Sequence, residues 1–305
     1  MRVGFIGLGR MGSHMSRSLL RASLAVNVYD VDPAPMKELE REGATVALSP
    51  AEVGAGSNVT ILMVHDQQQA ETAVYGEAGY AAGTRAGKTL VIMSSLPPNF
   101  VAELAGDFET KGIHLLDAPV SGGVEGAQQA SLTIMAAGSD TAFQAAEPIL
   151  AKMGRNLYRV GLCPGQGQTL KALNQAMYFT GLAVAAEVLV TGSKAGIDPD
   201  VMVEVIARSS GDNWALRNRV PLAWRNDYRS GGSLAVAIKD LRTALDIGRE
   251  FDMPLPVTTA TAQIFGLAGR LGAADADDPE VVRTIEILAG HVLQKGERDA
   301  GRSID

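Results

Sequence analysis

The chain begins with a short apolar run that leads directly into a glycine-rich turn. Residues 2–6 (RVGFI) have the composition of a buried strand, and apolar residues at helical spacing follow from residue 12. Between the two stands Gly7-Leu8-Gly9-Arg10-Met11-Gly12, which matches the pattern G-x-G-x-x-G. In this context Gly7 permits the tight turn, Gly9 lets the backbone approach a pyrophosphate, and Gly12 lets the helix pack on the strand. The segment therefore predicts a βαβ unit that binds a dinucleotide.

A carboxylate follows the second predicted strand, residues 25–29. Asp30 stands where dinucleotide-binding βαβ units place the residue that accepts hydrogen bonds from the ribose hydroxyls of NAD. Its charge repels the 2′-phosphate of NADP, and the next residues, Val31 and Asp32, supply no arginine to receive that phosphate. The sequence therefore predicts NAD as the cofactor in preference to NADP. The alternative is that Asp30 only caps the turn that follows it.

Short β-branched runs alternate with helical stretches in the first half of the chain. This alternation predicts a parallel sheet with helices on both faces, an α/β domain of the Rossmann type, over residues 1–162. After the breaker cluster CPGQG at 163–167 the strand signals fade, and residues 163–305 are predicted to form an all-helical domain. The predicted strands are 2–6, 25–29, 59–64, 90–93, 114–117, 132–136 and 157–160. The predicted helices are 12–22, 36–42, 68–75, 99–111, 142–153, 168–195, 200–209, 235–251, 256–271 and 279–293.

Charge and cysteine content exclude several classes of function. With 27 Lys and Arg against 34 Asp and Glu, the net charge of −7 argues against nucleic-acid binding, which needs concentrated basic residues. The single Cys163 excludes an internal disulfide and a cysteine-built metal site, and the four histidines show no metal-ligand spacing, so no metal is predicted. The apolar stretch 176–192 contains Glu187, which indicates a buried helix rather than a membrane span. We expect a soluble, cytoplasmic protein without a signal peptide.

The segment Asp117-Ala-Pro-Val-Ser-Gly-Gly follows a predicted strand, and so lies at the sheet edge where α/β folds bind ligands. The hydroxyl of Ser121 and the unhindered N–H groups of Gly122 and Gly123 suit a small carboxylate. The same residues could equally form an ordinary turn.

The segment GQGQTLKALNQ at 165–175 begins the longest predicted helix. Lys171, Asn174 and Gln175 are three and four residues apart, so they share one helical face. A partly buried lysine near a helix N-terminus favours the neutral amine and can exchange protons near neutral pH. The alternative is a solvated lysine beside two surface amides. Lys239-Asp240 (KDL, 239–241) is by itself also typical of a surface helix.

Taken together, these four segments resemble the β-hydroxyacid dehydrogenase family, which includes 3-hydroxyisobutyrate dehydrogenases and tartronate semialdehyde reductases. The segments GFIGLGRMGSHM, DAPVSGG, GQGQTLKALNQ and KDL stand in the order of that family over nearly the whole chain. The resemblance implies a Rossmann-type dinucleotide-binding domain followed by an all-α domain like the C-terminal domain of 6-phosphogluconate dehydrogenase. It also implies a homodimer or homotetramer formed through the helical domain.

The resemblance further implies roles for individual residues. It makes Lys171 the catalytic acid/base. The residues implied to hold the substrate are Ser121, Gly122, Gly123, Asn174 and Gln175. The residues implied to contact the cofactor are Gly7, Leu8, Gly9, Arg10, Met11, Gly12, Asp30, Met63, Val64, Ser95 and Lys239.

Other residues point to different substrates within the family. Gln175 stands where many members have a second asparagine, a variant that resembles the tartronate semialdehyde reductase branch, and Met93 stands where an Asp is common. Trp214–Arg219 resembles a segment of relatives that act on four-carbon sugar acids, although Arg217 and Arg219 could equally be surface charges.

The prediction is NAD-dependent, reversible hydride transfer at the β-carbon of a short 3-hydroxy acid or its semialdehyde, in the manner of a 3-hydroxyisobutyrate dehydrogenase. Within the family, the alternatives are a tartronate semialdehyde (2-hydroxy-3-oxopropionate) reductase and a four-carbon sugar-acid dehydrogenase. Among enzymes, the rival is an imine or other carbonyl reductase on the same scaffold. The rival that is not an enzyme is a dinucleotide-binding module without turnover. No partner other than the small-molecule hydroxy acid and further copies of the chain is expected, neither nucleic acid nor membrane.

Overall fold

The first part of the chain folds around a sheet of nine strands, counted over the described residues. The computed structural model describes residues 2–225, 228–230, 232–272 and 275–293. The chain divides into two structural units, of which the first ends at Lys171 and the second begins at Ala172. The strands are β1 (Arg2–Ile6), β2 (Ala25–Tyr29), β3 (Thr45–Val46), β4 (Val59–Leu62), β5 (Thr89–Ile92), β6 (His114–Asp117), β7 (Val120–Ser121), β8 (Leu132–Ala137) and β9 (Gly154–Gly161).

The strand order is β3-β2-β1-β4-β5-β6-β8-β7, with β9 paired to β8. Within the part of this order that runs β3-β2-β1-β4-β5-β6, all adjacent strands are parallel, as predicted for a Rossmann-type domain. The expectation that every strand runs parallel is wrong for β8, which is antiparallel to both β6 and β7. The chain passes from β7 to β8 through a short connection, and only antiparallel neighbours can be joined without a long crossover.

Helices cover both faces of the sheet. In the first unit they are α1 (Gly12–Arg21), α2 (Pro33–Arg41), α3 (Pro50–Gly56), α4 (Gln67–Tyr75), α5 (Tyr80–Gly83), α6 (Pro98–Thr110), α7 (Gly123–Gln128) and α8 (Asp140–Leu150). The five predicted helices of this unit, 12–22, 36–42, 68–75, 99–111 and 142–153, correspond to α1, α2, α4, α6 and α8. The short elements β3, β7, α3, α5 and α7 were not predicted, because so few residues carry no full period of apolar spacing.

Alternate residues of the central strands enter two separate apolar cores. Val3, Ile61 and Val91 pack in the core that also contains Met15 and Leu19 of α1. The residues of the same strands that point to the opposite face pack with α6; they are Ile6, Leu62, Leu90 and Ile92. Since successive side chains of a strand point to opposite faces, burial on both faces explains the unbroken apolar runs in the sequence.

The second unit is helical, with one isolated antiparallel bridge between Ser233 and Asp277 among its described residues. Its first helix, α9 (Gln166–Lys194), starts in the first unit. The others are α10 (Pro199–Ile206), α11 (Trp214–Asn218), α12 (Leu222–Arg225), α13 (Leu234–Glu250), α14 (Pro256–Leu271) and α15 (Glu280–Ala289). Asp198 caps α10 by accepting a hydrogen bond from Asp200 N at 2.7 Å.

Helix α9 contributes one face to the core of the second unit. Phe179, Leu182 and Leu189 are buried there together with Leu241 of α13 and Phe265 of α14. By length and composition alone, α9 is the one helix of the described residues that could cross a membrane. A core helix of a globular protein passes the same test, so this property carries no argument for a membrane.

Candidate active site

The glycine-rich turn connects β1 to α1, and two of its glycines admit no side chain. Gly7 has a φ of +95°, and a Cβ atom added to it would lie 2.2 Å from the carbonyl oxygen of Met63. A Cβ added to Gly12 would lie 2.0 Å from the carbonyl oxygen of Gly7. The tight turn and the close packing of α1 on β1 therefore both require glycine, as predicted.

Gly9, in the middle of the turn, differs from these two glycines. A Cβ atom added to Gly9 meets no atom within 4 Å, so the backbone there borders open space. Helix α1 begins at Gly12, and no side chain caps it at Met11. The N–H of Ser13 donates to the carbonyl oxygen of Gly9 at 3.2 Å. A helix N-terminus without a side-chain cap presents further N–H groups to an anion, the interaction that such termini make with phosphates. These residues fit the pyrophosphate of a dinucleotide.

Asp30 lies beside the same turn. The backbone N–H of Leu8 donates to its Oδ2 at 2.5 Å, and the N–H of Asp32 donates to its Oδ1 at 2.8 Å. Two backbone donors thus fix the carboxylate next to the turn, and the lone pairs that remain can accept ribose hydroxyls. Besides capping its own turn, Asp30 has the position predicted for recognition of the adenosine ribose.

The loop after β4 and the loop after β5 are joined by Ser94. The N–H of Val64 donates to Ser94 Oγ at 2.7 Å, and Ser94 is almost completely buried. Met63 contacts the glycine-rich turn through its carbonyl oxygen, as the close approach to Gly7 shows. Ser95, the residue predicted to bind the cofactor, is partly exposed beside Ser94. The predicted cofactor residues of the first unit thus occupy consecutive loops at the carboxyl ends of β1, β2, β4 and β5.

The predicted carboxylate-binding residues follow β6 at the same edge. Ser121 belongs to β7 and is partly exposed, and Gly122 and Gly123 are exposed. Their φ angles are +128° and +62°, a backbone conformation that side chains with a Cβ rarely adopt. The two glycines therefore set the path of the loop and leave their N–H groups unhindered by side chains.

Asp117, the last residue of β6, is fully buried and receives the start of α9. The N–H groups of Gly165 and Gln168 donate to its Oδ2 at 2.9 and 3.0 Å. Nε2 of Gln168 donates to its Oδ1 at 2.8 Å and also to the carbonyl oxygen of Ser94 at 2.9 Å. Oε1 of Gln168 accepts from the N–H of Leu96 at 3.0 Å. One buried amide thus connects α9 with the loops that follow β5 and β6.

Burial raises the pKa of the Asp117 carboxyl to about 6, although hydrogen bonds from Gln168, Gly165 and Gly167 act in the opposite direction. The folded protein therefore holds the Asp117 proton more tightly than the unfolded chain does. Such a group contributes stability that is complete below the unfolded pKa and is lost as the pH rises through the folded pKa.

We expect the free energy of unfolding of the wild type, relative to Asp117→Asn, to decrease by roughly 2 kcal/mol between about pH 4 and about pH 7. Urea denaturation at several pH values measures this difference. Asp107→Asn is the control of opposite sign, because hydrogen bonds from Lys111 and Tyr75 lower the pKa of Asp107. A difference between wild type and Asp117→Asn that does not change with pH would contradict the prediction.

Lys171 lies on α9 one turn after Gln168. Only 8 % of its surface is exposed, so it is not the solvated lysine of the alternative interpretation. Residues 168 and 171 are neighbours on one helix face because they are three positions apart. The start of α9 therefore carries both the amide that binds the sheet edge and the candidate acid/base.

In the second unit, Asp240 connects the other predicted residues. Nδ2 of Asn174 donates to Oε1 of Gln175 at 3.2 Å, and Nε2 of Gln175 donates to Oδ2 of Asp240 at 3.1 Å. Nζ of Lys239 lies 3.3 Å from Oδ1 of the same carboxylate. Asp240 is buried, so the structure places Lys239 beside the amides of α9 rather than on an isolated surface.

The two arginines of the segment 214–219 differ. Arg217 is half exposed and forms an ion pair with Asp212 at 3.2 Å, which agrees with a surface charge. Arg219 donates through Nε to the hydroxyl of Tyr178 at 3.0 Å and through Nη1 to the carbonyl oxygen of Ser230 at 3.1 Å. Its guanidinium also lies over the ring of Trp214, at 5.2 Å from the ring centre.

Four residues of these hydrogen-bond networks were not predicted as parts of the site: Ser94, Asp117, Gln168 and Asp240. Asp117 and Asp240 lie inside the motifs that identified the site, but sequence reasoning assigned no role to either carboxylate. Their partners are 51 and 65 positions away, and no local spacing indicates such pairs. A signal was present for Gln168, since a glutamine in the first turn of a buried helix needs a partner.

Two sequence-family models match the chain. The NAD binding domain of 6-phosphogluconate dehydrogenase matches residues 2–161. The model described as NAD-binding of NADP-dependent 3-hydroxyisobutyrate dehydrogenase matches residues 165–285. Together they cover the four segments from which the family resemblance was inferred, and they confirm it.

Several curated proteins are similar over most of their length. L-Threonate dehydrogenase of Cupriavidus necator is 35% identical over 92% of this chain and 95% of its own length. 3-Hydroxyisobutyrate dehydrogenase of Pseudomonas aeruginosa is 36% identical over 89% of this chain and 93% of its own length. 2-Hydroxy-3-oxopropionate reductase of Escherichia coli is 32% identical over 96% of this chain and its whole length.

Solved structures agree with this relationship. 3-Hydroxyisobutyrate dehydrogenase from Salmonella typhimurium has a TM-score of 0.84 and 31% identity over 93% of this chain and 99% of that one. The protein Psf3, solved with NADP+ and 2-OPP, has a TM-score of 0.83 and 27% identity over the same shares. The likeness confirms the fold class of a Rossmann-type domain followed by a helical domain. It does not determine whether NAD or NADP is preferred.

Proposed function

The chain belongs to the β-hydroxyacid dehydrogenase family, and we propose that it is a 3-hydroxyisobutyrate dehydrogenase-like enzyme. The proposed reaction is reversible hydride transfer between a nicotinamide dinucleotide and the β-carbon of a short 3-hydroxy acid. The observation that carries the proposal is the buried amine of Lys171, in the helix that follows the dinucleotide-binding sheet. Burial of an ammonium group is costly, so a lysine is rarely found there unless its proton or charge is used.

The proposed chemistry divides between the dinucleotide and side chains of this protein. The glycine-rich turn, Asp30 and the loops after β4 and β5 would hold the dinucleotide, which would supply the hydride acceptor for oxidation and the hydride donor for reduction. Nζ of Lys171 takes the hydroxyl proton in oxidation as a neutral amine, and gives it back in reduction as an ammonium. Ser121 Oγ and the N–H groups of Gly122 and Gly123 hold the carboxylate, and Asn174, one helical turn beyond Lys171, orients the substrate.

An absorbance assay at the NADH band tests the proposal directly. Wild-type protein is incubated with NAD+ and one hydroxy acid per reaction; the acids are 3-hydroxyisobutyrate, glycerate, serine and L-threonate. Turnover of at least one hydroxy acid supports a dehydrogenase. Binding of NADH without turnover of any of them would support the dinucleotide-binding module instead.

A four-carbon sugar acid is the second candidate substrate. Tyr178 follows Asn174 by one turn of α9, and its hydroxyl donates to Asp278 at 2.6 Å while it accepts from Arg219. Hydroxyl and guanidinium groups can exchange further hydrogen bonds with the hydroxyls of a polyhydroxylated chain, which the methyl group of 3-hydroxyisobutyrate cannot form. The similarity to L-threonate dehydrogenases supports this candidate, and Gln175 supports tartronate semialdehyde. A higher kcat/KM for L-threonate than for 3-hydroxyisobutyrate would decide for the sugar acid.

We further propose that NAD is preferred over NADP. The fixed carboxylate of Asp30 supports this preference, since it can accept both ribose hydroxyls of NAD and repels the 2′-phosphate of NADP. Val31 and Asp32 place no basic side chain next to it.

Replacement of Asp30 by alanine is expected to raise the ratio of kcat/KM for NADP+ over NAD+ by about tenfold or more, because the repelling charge is removed. Asp32→Ala is the matched control: it removes the same charge two residues away, and Asp32 caps α2 through Ala34 N at 2.9 Å. Initial rates with both cofactors measure the ratios. The proposal fails if the wild type already prefers NADP+, or if both variants change the ratio equally.

The helical unit also supports a proposal about assembly. Leu173, Met177, Val184 and Val188 form an exposed apolar stripe along α9. Exposed apolar residues in a continuous row often mark surfaces where subunits meet. We therefore propose a homodimer or homotetramer formed through this unit, which sedimentation velocity distinguishes from a monomer. We also propose that the enzyme works in the cytoplasm, which cell fractionation would test.

A further inference from the structure

Gln168 stands at a junction of three chain segments of the first unit. Its backbone N–H belongs to the first turn of α9, and its side chain reaches two other segments, Ser94–Leu96 after β5 and Asp117 at the end of β6. Its backbone N–H and both polar atoms of its side-chain amide have partners at 2.8–3.0 Å. Only 2 % of Gln168 is exposed, so water does not replace a lost partner.

Asp117 completes this junction from the sheet. Helix α9 begins at Gln166, and the carboxylate of Asp117 accepts N–H groups on both sides of that start, from Gly165 and Gln168. It performs the task of an N-cap residue, although it comes from a strand about fifty positions earlier in the chain. A Cβ added to Gly167 would lie 2.9 Å from Asp117 Oδ2, so the helix approaches the carboxylate closely.

Each of the three segments leads to a residue of the proposed reaction. Ser95 lies between Ser94 and Leu96, Ser121 lies a few residues after Asp117, and Lys171 lies one turn after Gln168. A helix is stiff over one turn, so the direction in which Lys171 leaves α9 is set by how its first turn is held. Efficient proton transfer needs the amine within hydrogen-bond distance of the substrate hydroxyl.

We propose that Asp117 and Gln168 are positioning residues that fix Nζ of Lys171 relative to the loops that carry Ser95 and Ser121. This inference rests on the proposed dehydrogenase function. The pair touches neither the proposed substrate nor the cofactor, and acts through the helix that carries the acid/base. Loss of the pair should therefore reduce the rate of the chemical step much more than it weakens binding.

The decisive variant is Gln168→Met, which keeps the side-chain volume but removes its hydrogen bonds. We expect kcat to fall by about 10–100-fold, since small displacements of a reacting group are that costly, with KM and the NADH dissociation constant changed less than about threefold. Hydrogen exchange measured by mass spectrometry should be faster in the segment 163–171, a readout that does not depend on turnover.

A second variant, Gln168→Glu, separates positioning from simple packing. It keeps the acceptor for Leu96 N but places a second carboxyl against Asp117, where two negative charges at 2.8 Å cannot both be accommodated. A shared proton relieves this conflict. The kcat of this variant relative to wild type should therefore rise at least about fivefold between about pH 8 and about pH 6, clearly more than that of Gln168→Met over the same range.

Ser139→Ala is the matched control. Ser139 caps α8 in the same unit by accepting from Ala142 N at 3.2 Å, but the antiparallel course of β8 carries it away from the end of β6. Its loss should lower stability by about 1 kcal/mol without a change in kcat. Wild-type kcat retained in Gln168→Met, or a reduction equal to that in Ser139→Ala, would overturn this inference alone. An inactive wild type would overturn the proposed function.

Discussion

Replacement of Lys171 by methionine is expected to lower kcat by about 10²–10⁴-fold, the range that general acid–base catalysis contributes. Methionine fills the buried space without a titratable group, so the fold and the affinity for NADH should be retained. Measurements of kcat with the best substrate of the panel, together with NADH fluorescence titration, test both parts. A small primary amine such as methylamine should restore part of the rate of Lys171→Ala, because it can enter the space of the missing side chain.

Lys152→Met is the matched control for this prediction. Lys152 is exposed just beyond α8 in the same unit, and its replacement removes the same charge. Its kcat should equal that of the wild type. If Lys171→Met were as active as Lys152→Met, another group would have to exchange the substrate proton, and the assignment of Lys171 would be wrong.

The second large effect is expected at Gly9. Since an added Cβ meets no protein atom, Gly9→Val should fold with an unchanged melting temperature, but its side chain would occupy the space where the pyrophosphate approaches the backbone. We expect the dissociation constant for NADH to rise by at least about 100-fold, equivalent to about 2.7 kcal/mol. Isothermal titration calorimetry measures the affinity and differential scanning fluorimetry the stability.

Two other glycines serve as controls for this result. Gly106 lies in α6, and a Cβ there also meets nothing within 4 Å, so Gly106→Val should keep both stability and NADH affinity. Gly7→Ala should instead lower the melting temperature, because its Cβ would collide with the Met63 carbonyl at a φ that disfavours any side chain. Unchanged NADH affinity in Gly9→Val would show that the dinucleotide binds elsewhere.

Much of the fold could be predicted from the sequence because its signals are local. The signals of the glycine-rich turn and of each strand buried on both faces come from residues that are close together in the sequence. Lys171, Asn174 and Gln175 could be placed on one helix because helical spacing is local too. The conclusion that Lys171 is buried needed the structure, since both interpretations fit the same helical pattern.

The remainder could not be predicted because it depends on contacts between distant residues. The hydrogen bonds of Asp117 with Gln168 and of Gln175 with Asp240 form only after the helices pack, and single-sequence patterns do not show them. The antiparallel direction of β8 depends on a short connection through α7, which is too brief to give a period. The sequence therefore shows Asp117 and Asp240 as members of motifs, but it does not show which residues they bind.

Because α9 is one continuous helix, the number of residues between Gln168 and Lys171 determines the direction in which the lysine points. Each residue inserted into a helix rotates everything after it by about 100° and advances it by about 1.5 Å. An added or deleted codon between those for Gln168 and Lys171 would leave every strand of the sheet unchanged in sequence, yet it would direct the amine to a different side of the helix. A change in the number of residues in this short stretch is therefore expected to abolish the activity of the enzyme.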